Sequence, residues 1–408
     1  MTARGRLRAP ARALRARSHA ERARPKGPPK GQLRGQLRGQ PRGQPRFQTG
    51  LTLIELLISS VISLIILAGA ISLVLGVRET SRLNDAIGGV QENVRLAGDL
   101  LNRRVRLAGS LGCLTASTGS PTPPITNHLD PADPEFIAYE AENIGGTDGL
   151  GYDYPDAANQ IGPSDSVTVT SVIGPPMRLL PGCPSCGASN EPRDSLYVNV
   201  VEPNELVAGT NEVANVVLLG DCTEGDIFQV TNDPTGAGAQ VWQRCDSGFN
   251  VGPSCGSDDD GQSVTLRKAP LDDYERAATT VQQLRQSNFS VRDLAGGPAL
   301  AQVREPTGLA QGLVQGTVDM QVFFGEDENA NGVVDRYLPA DDPNLDFDRV
   351  TSVRIALLFA STTENVVDEP QTLYYVDGST NAFTNITMPD RRFYSSSILT
   401  VALRNRLN

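Results

Sequence analysis

A run of 22 residues without a formal charge, Leu56 to Val77, follows directly on a single carboxylate, Glu55. At about 1.5 Å of rise per residue, a helix of this length spans the roughly 30 Å hydrocarbon core of a bilayer. The chain is therefore expected to cross a membrane once. A carboxylate at the lip of such a helix is costly unless it is solvated at headgroup depth or meets a partner. What lies upstream decides between these.

Residues 1–50 carry 12 Arg and 2 Lys against one acid, Glu21, a net of +13, while the remainder carries 22 basic and 46 acidic residues, a net of −24. The overall −11 hides two opposite pieces. The basic piece contains the repeat GQLR-GQLR-GQPR-GQPR from Gly31 to Arg46. It has many prolines, few apolar residues and no helical period, the composition of a disordered segment. Basic arms bind nucleic acid or anionic lipid. Positive charge directly before an apolar helix also fixes topology, keeping that end cytoplasmic and sending the rest across. The acidic remainder is then outside, where its charge keeps it soluble and disfavours nucleic acid.

Six cysteines, Cys113, Cys183, Cys186, Cys222, Cys245 and Cys255, all follow the apolar run. An even number in an exported domain reads as disulfides, with 15 pairings open for six cysteines. Cys222 and Cys245 flank a strand-like stretch and are the first pair expected. Of the two histidines, His19 lies in the basic arm and His128 alone serves the exported part. Catalytic arrangements and metal sites built on histidine are hard to assemble from one such residue, so no enzyme is expected and no catalytic residue is assigned.

An ordinary secretory signal is cut after its apolar region. Here the basic segment ends at Gly50 and the apolar stretch begins at Leu51, an order that suits a cut between them with the helix retained. The stretch GLTLIE, Gly50 to Glu55, resembles the type IV prepilin motif. That resemblance implies a membrane prepilin peptidase that cuts after Gly50 and methylates the new amine of Leu51. It also gives Glu55 a role in assembly. Its carboxylate lies one helical turn from the Leu51 amine and pairs with that amine, or a neighbouring subunit's, so that two charges costly in an apolar bundle become tolerable together. The leader is longer than those of the family, and a start codon within residues 1–46 is the other reading of its length.

From Arg78 the residues Leu83, Ile87, Val90, Val94, Ala97, Leu101, Val105 and Ala108 continue at helical spacing, one apolar stripe with charges off it. Gly88-Gly89 is expected to bend this helix, and Gly109 and Gly112 to end it. The domain boundaries that follow are 1–50 for a leader that is removed, 51–77 for the transmembrane assembly helix, 78–112 for the amphipathic spine and 113–408 for an exported β-rich head. The fold class is α+β: a long N-terminal helix packed on an antiparallel sheet, with long disulfide-stapled loops. Strands are expected at Ser166–Val172, Ser195–Val201, Asn215–Gly220, Asp226–Asn232, Gln240–Arg244, Ser263–Arg267, Thr317–Phe324, Val350–Ser361 and Ser395–Arg406. The set Val318, Met320, Val322, Phe324 and the set Val353, Ile355, Leu357, Phe359 alternate with period two. They predict one face on the helix stripe and one toward water. Residues 114–164 and 270–310 show little pattern.

The stretches Val90–Cys113, Val216–Asn232, Gly312–Asp341 and Val350–Ser361, with the terminal TVALRNRL, resemble PilW-type minor pilins. The resemblance implies a minor type IV pilin without a reaction of its own. Such a protein is held single-pass in the inner membrane with its head in the periplasm, and is then assembled into a pilus at the cell surface. It implies as partners the prepilin peptidase, other minor pilins, the major pilin and a pilus-tip adhesin, in an initiation or tip complex. Nucleic acid is not a partner of the processed form. A minor pseudopilin of a type II secretion system is the alternative, with the same N-terminal chemistry.

Two smaller motifs stand apart. Asp327, Asn329, Asn331 and Asp335 around Gly332 place oxygens at positions one, three, five and nine of a calcium loop, with the Val333 carbonyl at seven. Position twelve is Leu338, with Asp341 or Asp342 as replacements, so calcium is the one cofactor considered and weak binding is expected. The other reading is an ordinary Asn/Asp/Gly turn. In that turn Asp327 would be exposed, and its loss would leave the calcium-free protein nearly unchanged. The spacing of Cys183 and Cys186 is that of a redox motif, but Pro181, Gly182, Pro184 and Gly187 around it favour a loop staple. A zinc site with Cys245 and Cys255 is the remaining alternative, against an oxidising compartment.

Overall fold

The computed structural model describes residues 52–112, 114, 125–129, 144–149, 151–154, 161–179, 195–199, 215–221, 224–232, 237–242, 255–258, 261–264, 279–304, 309–377 and 381–404. Two compact units divide the chain, residues 1–66 and 67–408. Helix α1 (Leu53–Arg106) begins in the first. Every side chain from Thr52 to Arg82 is exposed, including the whole apolar run. It is a helix long and apolar enough to cross a membrane.

In the second unit the stripe read from the sequence is the buried face of α1. Val90, Ala97, Leu101, Val105 and Ala108 are buried, and Leu83, Ile87 and Val94 are half-buried. The helix continues through Gly88-Gly89. It ends as expected: Leu107 and Ala108 donate to the carbonyls of Arg104 and Val105, and Gly109 and Gly112 turn with φ of 71° and 72°. The N–H of Gly109 then donates to the carbonyl of Thr170, fixing the helix end to the first long strand.

An eight-stranded sheet comprises β1 (Ile125–Asn127), β2 (Ile144–Thr147), β3 (Ser166–Arg178), β5 (Asn215–Gly220), β6 (Gly225–Val230), β10 (Thr280–Leu294), β11 (Gly297–Arg304) and β12 (Leu309–Gln315). Its main order is β1-β6-β5-β10-β11-β12, with β3 on β10 and β2 on β3. All its pairings are antiparallel except β1 with β6. A four-stranded antiparallel sheet has the order β14-β13-β15-β18, formed by β13 (Thr317–Glu326), β14 (Arg336–Leu338), β15 (Val350–Ala360) and β18 (Tyr394–Ala402). Three two-stranded antiparallel sheets complete the described strands: β4 (Ser195–Asn199) with β7 (Ala237–Trp242), and the hairpins β8 (Cys255–Asp258) with β9 (Gly261–Val264) and β16 (Thr372–Asp377) with β17 (Ala382–Thr387).

Residues 270–310, patternless in sequence, supply β10 and β11. The strands escaped the alternation rule because several of their buried positions are polar. Gln286, Ser287 and Ser290 are buried, and side-chain amide nitrogens reach hydroxyl oxygens across the sheet. Gln286 Nε2 donates to Thr170 Oγ1 at 3.2 Å, Gln302 Nε2 to Ser287 Oγ at 2.8 Å, and Asn288 Nδ2 to Thr168 Oγ1 at 3.0 Å. Buried polar groups paired in this way carry little penalty.

The two-faced expectation for the late strands is half right. Met320, Val322 and Phe324 on β13, and Val353, Ile355, Leu357 and Phe359 on β15, pack with Val90, Ala97, Leu101 and Val105. The opposite face does not meet water. Ala356, Leu358 and Ala360 pack under Tyr375, Val376 and Ile386 of the β16–β17 hairpin, with Tyr154, Ile161 and Tyr394. All ten residues of β13 are buried. Val318 belongs to this second layer rather than to the helix face. The ladder shifts register between Thr317 and Asp319, which flips its side chain across the sheet.

Gly316 joins the two sheets at φ 74°, and a Cβ there would meet the Ala360 carbonyl at 2.7 Å. Next to it, Asn93 Nδ2 of α1 donates to the Gln315 carbonyl at 2.9 Å. The helix is thus tied to the junction by a hydrogen bond as well as by its stripe.

Candidate functional site

The helix start is built by Thr52 and Glu55. The N–H and Oγ1 of Thr52 both donate to Glu55 Oε2 at 3.0 Å, and the N–H of Glu55 donates back to Thr52 Oγ1 at 3.3 Å. This is a capping box, in which two end groups of a helix satisfy each other. The sequence reading gave Glu55 a charge partner and missed its neighbour, although T-x-x-E before an apolar run is a readable signal. Gly50 and Leu51, the expected cut, lie outside the described residues.

Beyond the cap, the hydroxyls of Ser59, Ser60, Ser63 and Ser72 donate to the carbonyls of Glu55, Leu57, Ser59 and Ala68 at 2.6–3.0 Å. Each polar side chain in the apolar run is thereby absorbed by its own helix, as hydrocarbon surroundings require.

The Asp327–Asp335 loop leaves the end of β13. Asp327 is buried, not exposed. Its two oxygens accept from the N–H groups of Asn331 at 3.1 Å and Gly332 at 2.7 Å. Asn331 Oδ1 accepts from Val333 N at 2.8 Å, and Gly332 takes φ 81°. Asn329 turns its amide nitrogen toward Asp335, 3.0 Å from Oδ2. Asp341 does not complete the loop, because it meets Asp148 instead. Asp342 accepts from the N–H and side-chain amide of Asn344. The side-chain oxygens of Asp327, Asn331 and Asp335 each accept from groups of the loop itself, and Leu338 holds position twelve.

The six cysteines give no geometry: five lie outside the described residues, and the side chain of Cys255, on β8, does too. His128 is described. Its Nε2 stands 2.8 Å from Asp226 Oδ1 with both side chains buried, so His128, directly after β1, is held to β6 by its side chain.

Sequence reasoning missed the buried acids of the second layer. Asp319 is fully enclosed and accepts from Ser164 Oγ, Gln321 Nε2 and the Tyr375 hydroxyl. Burial pushes its carboxyl up to about 6, against the pull of those donors. Asp165 accepts from Gly149 N at 2.8 Å and Val322 N at 2.7 Å. Burial raises it to about 8, and the neighbouring Asp148 adds to the rise. Period-two alternation had placed Asp319 on the water side, and nothing in the sequence marks the hairpin that covers it.

Two family profiles match the chain. The Prokaryotic N-terminal methylation motif covers residues 45–71, the stretch that contains the capping box. Type IV Pilus-assembly protein W covers residues 279–405, from the start of β10 through β18. In these two stretches the chain is similar to type IV pilin-like proteins of the PilW kind. No curated relative and no solved structure matches it.

The PilW match spans the four-stranded sheet, the hairpin that covers it and three strands of the larger sheet. It takes in Gly312–Asp341, Val350–Ser361 and the terminal TVALR. The segments Val90–Cys113 and Val216–Asn232, which also carried the resemblance, fall outside it. A PilW-type chain with this motif and one apolar N-terminal helix is fitted to anchorage in the inner membrane and to the pilus machinery.

Proposed function

We propose that this PilW-type chain is a minor type IV pilin. Prepilin peptidase cuts it between Gly50 and Leu51 and methylates the Leu51 amine. It then joins other minor pilins, the major pilin and a tip adhesin in the complex that initiates or tips the filament. The observation that carries this reading is the capped Thr52–Glu55 helix start inside the methylation motif, followed by an apolar run with all its side chains exposed. A retained helix of this kind supplies the assembly surface, and the head supplies the choice of partner. The head stands in the periplasm before assembly and at the cell surface after it. No reaction is assigned to it, and nucleic acid is no partner once the basic leader is gone.

The test is an intact-mass spectrum of the protein isolated from membranes, read beside the phenotype of a deletion strain. A mature terminus at methylated Leu51 and loss of pili are expected. Loss of secretion with pili intact would make the chain a pseudopilin of a type II system, and an uncut chain would sink both readings.

A further inference from the structure

Past its last glycines α1 hands the chain to a tight turn. The Leu114 N–H donates to the Leu111 carbonyl at 3.2 Å, with Gly112 between them at φ 72°. The turn sits on the larger sheet. The Val172 N–H donates to the Ser110 carbonyl at 2.9 Å, and a Cβ on Gly112 would strike Gln282 Oε1 of β10. Gln282 stands opposite Leu218 of β5.

The side chain of Leu114 closes the end of the β5–β6 hairpin. Gly220 and Gly225 form the last pair of that ladder. A Cβ on either would lie 2.9 Å from Leu114 Cδ1, so both glycines make room for the leucine. Beyond them the Asp221 N–H donates to the Glu224 carbonyl at 3.2 Å, and the Glu224 N–H to Asp221 Oδ1 at 3.1 Å. These bonds close a four-residue turn.

Each side of this contact carries a cysteine in the sequence. Cys113 directly precedes Leu114, and Cys222 falls inside the turn, two residues past Gly220. Both cysteines lie outside the described residues, but Gly112, Leu114 and Asp221, their chain neighbours, do not. A disulfide spans about 4.4–6.8 Å between Cα atoms. One peptide step covers ~3.8 Å, so that span is about the reach from the leucine–glycine contact to either cysteine. The other four attach elsewhere. Cys183 and Cys186 fall between Leu179 and Ser195, and Cys245 comes three residues after Trp242. Leu179 bridges to Val198 of β4, and Ser195 of β4 pairs with Trp242 of β7. Chain connection thus ties those three to the β4–β7 sheet, and Cys255 opens β8.

We propose that Cys113 and Cys222 form a disulfide that ties the end of α1 to the β5–β6 turn, in place of the Cys222–Cys245 pair that linear spacing suggests. The remaining four cysteines are an even set with three pairings open. The thiolate of one cysteine attacks the disulfide of a dithiol–disulfide oxidant, and the second then displaces the oxidant's sulfur from the mixed disulfide. Two protons and two electrons leave the pair, and the oxidant ends as a dithiol. This inference rests on export of the head to an oxidising compartment, part of the minor-pilin reading.

The experiment uses the full-length protein, alkylated in cells before lysis and digested with trypsin without reductant. Trypsin cuts after Arg106, Arg178, Arg193 and Arg244, so Cys113 and Cys222 each fall alone on a peptide. The expected product joins these two peptides and is lighter than their sum by two hydrogen atoms. Cys222 joined to any other cysteine overturns the proposal, as does alkylation of Cys113 and Cys222 while the others are bridged. Cys113→Ser should gain one alkylated thiol, at Cys222, and a variant in which Cys222 stays blocked overturns it too. All six cysteines alkylated marks failure of export, and so of the minor-pilin reading. The reduced, folded protein is then oxidised with glutathione disulfide. The same joined peptide is expected there, and its absence overturns the pairing.

Discussion

Tyr375 donates its hydroxyl to Asp319 Oδ2 at 2.9 Å, and both residues are fully buried between the four-stranded sheet and the β16–β17 hairpin. The bond joins the hairpin to β13 by a polar contact inside an apolar layer. Tyr375→Phe leaves the carboxylate with one donor fewer, and stability should fall by about 1–3 kcal/mol. Denaturant unfolding of the detergent-solubilised protein measures it, and an unchanged midpoint would show that the hairpin is held by packing alone.

Stability should fall as pH rises from about 4 to 8, because the folded state holds a proton on Asp165 that the unfolded chain releases near 4. Below that window both states are protonated, and the contribution is fully present. It is lost as pH climbs through about 8. Asp319, raised to about 6, steepens the acid half of the same window. Melting temperatures at pH 5 and pH 8 give the slope, and Asp165→Asn should flatten it. A wild-type slope retained in that variant assigns the effect to another group.

Gly50 should be required for processing. A side chain there obstructs the approach of a peptidase to the backbone. Gly50→Val is expected to accumulate as a larger membrane form, and normal cutting of that variant would rule the site out.

Glu55 closes the capping box and is proposed to pair with the Leu51 amine in assembly, and two substitutions separate the two roles. Gln closes a capping box as Glu does but carries no charge. Glu55→Gln should therefore keep the helix start and lose assembly, while Glu55→Ala loses both. Insertion and cutting should survive in each. Pili at wild-type levels from Glu55→Gln would show that the box, not the charge pair with Leu51, is what assembly needs.

The Asp327–Asp335 loop separates a turn from a cation site by a simple melt. Extracellular calcium modules bind at roughly 10⁻⁴–10⁻³ M, and this loop, short of its twelfth-position ligand, is proposed to bind no more tightly. Millimolar calcium, but not magnesium, should then raise the melting temperature, by an amount equal to about 2.7 kcal/mol at one hundred times the dissociation constant. Identical melts in calcium, magnesium and chelator would leave it a turn. Asp327→Ala should itself cost about 1–3 kcal/mol in either case, because its buried carboxylate satisfies two backbone N–H groups.

The sequence by itself determined what depends on local order along the chain. The uncharged run after Glu55, the stripe from Leu83 to Ala108 and the glycines that end α1 are all periodicities or backbone needs of single segments. The strands β5, β13 and β15 were legible for the same reason, since β-branched and aromatic residues crowd them. Tertiary structure decided what depends on a second layer. Alternation along β13 shows two faces but not what covers them, so Asp319 read as solvated until Tyr375 closed over it. β10 was invisible because its buried Gln286 and Ser287 find their partners on the strands to either side, Thr170 of β3 and Gln302 of β11. Asp341, a spare ligand on paper, meets Asp148 because the fold brings their loops together. A register shift moved Val318 to the other side of its sheet. Contacts between distant segments set each of these outcomes, and a linear pattern holds no record of them.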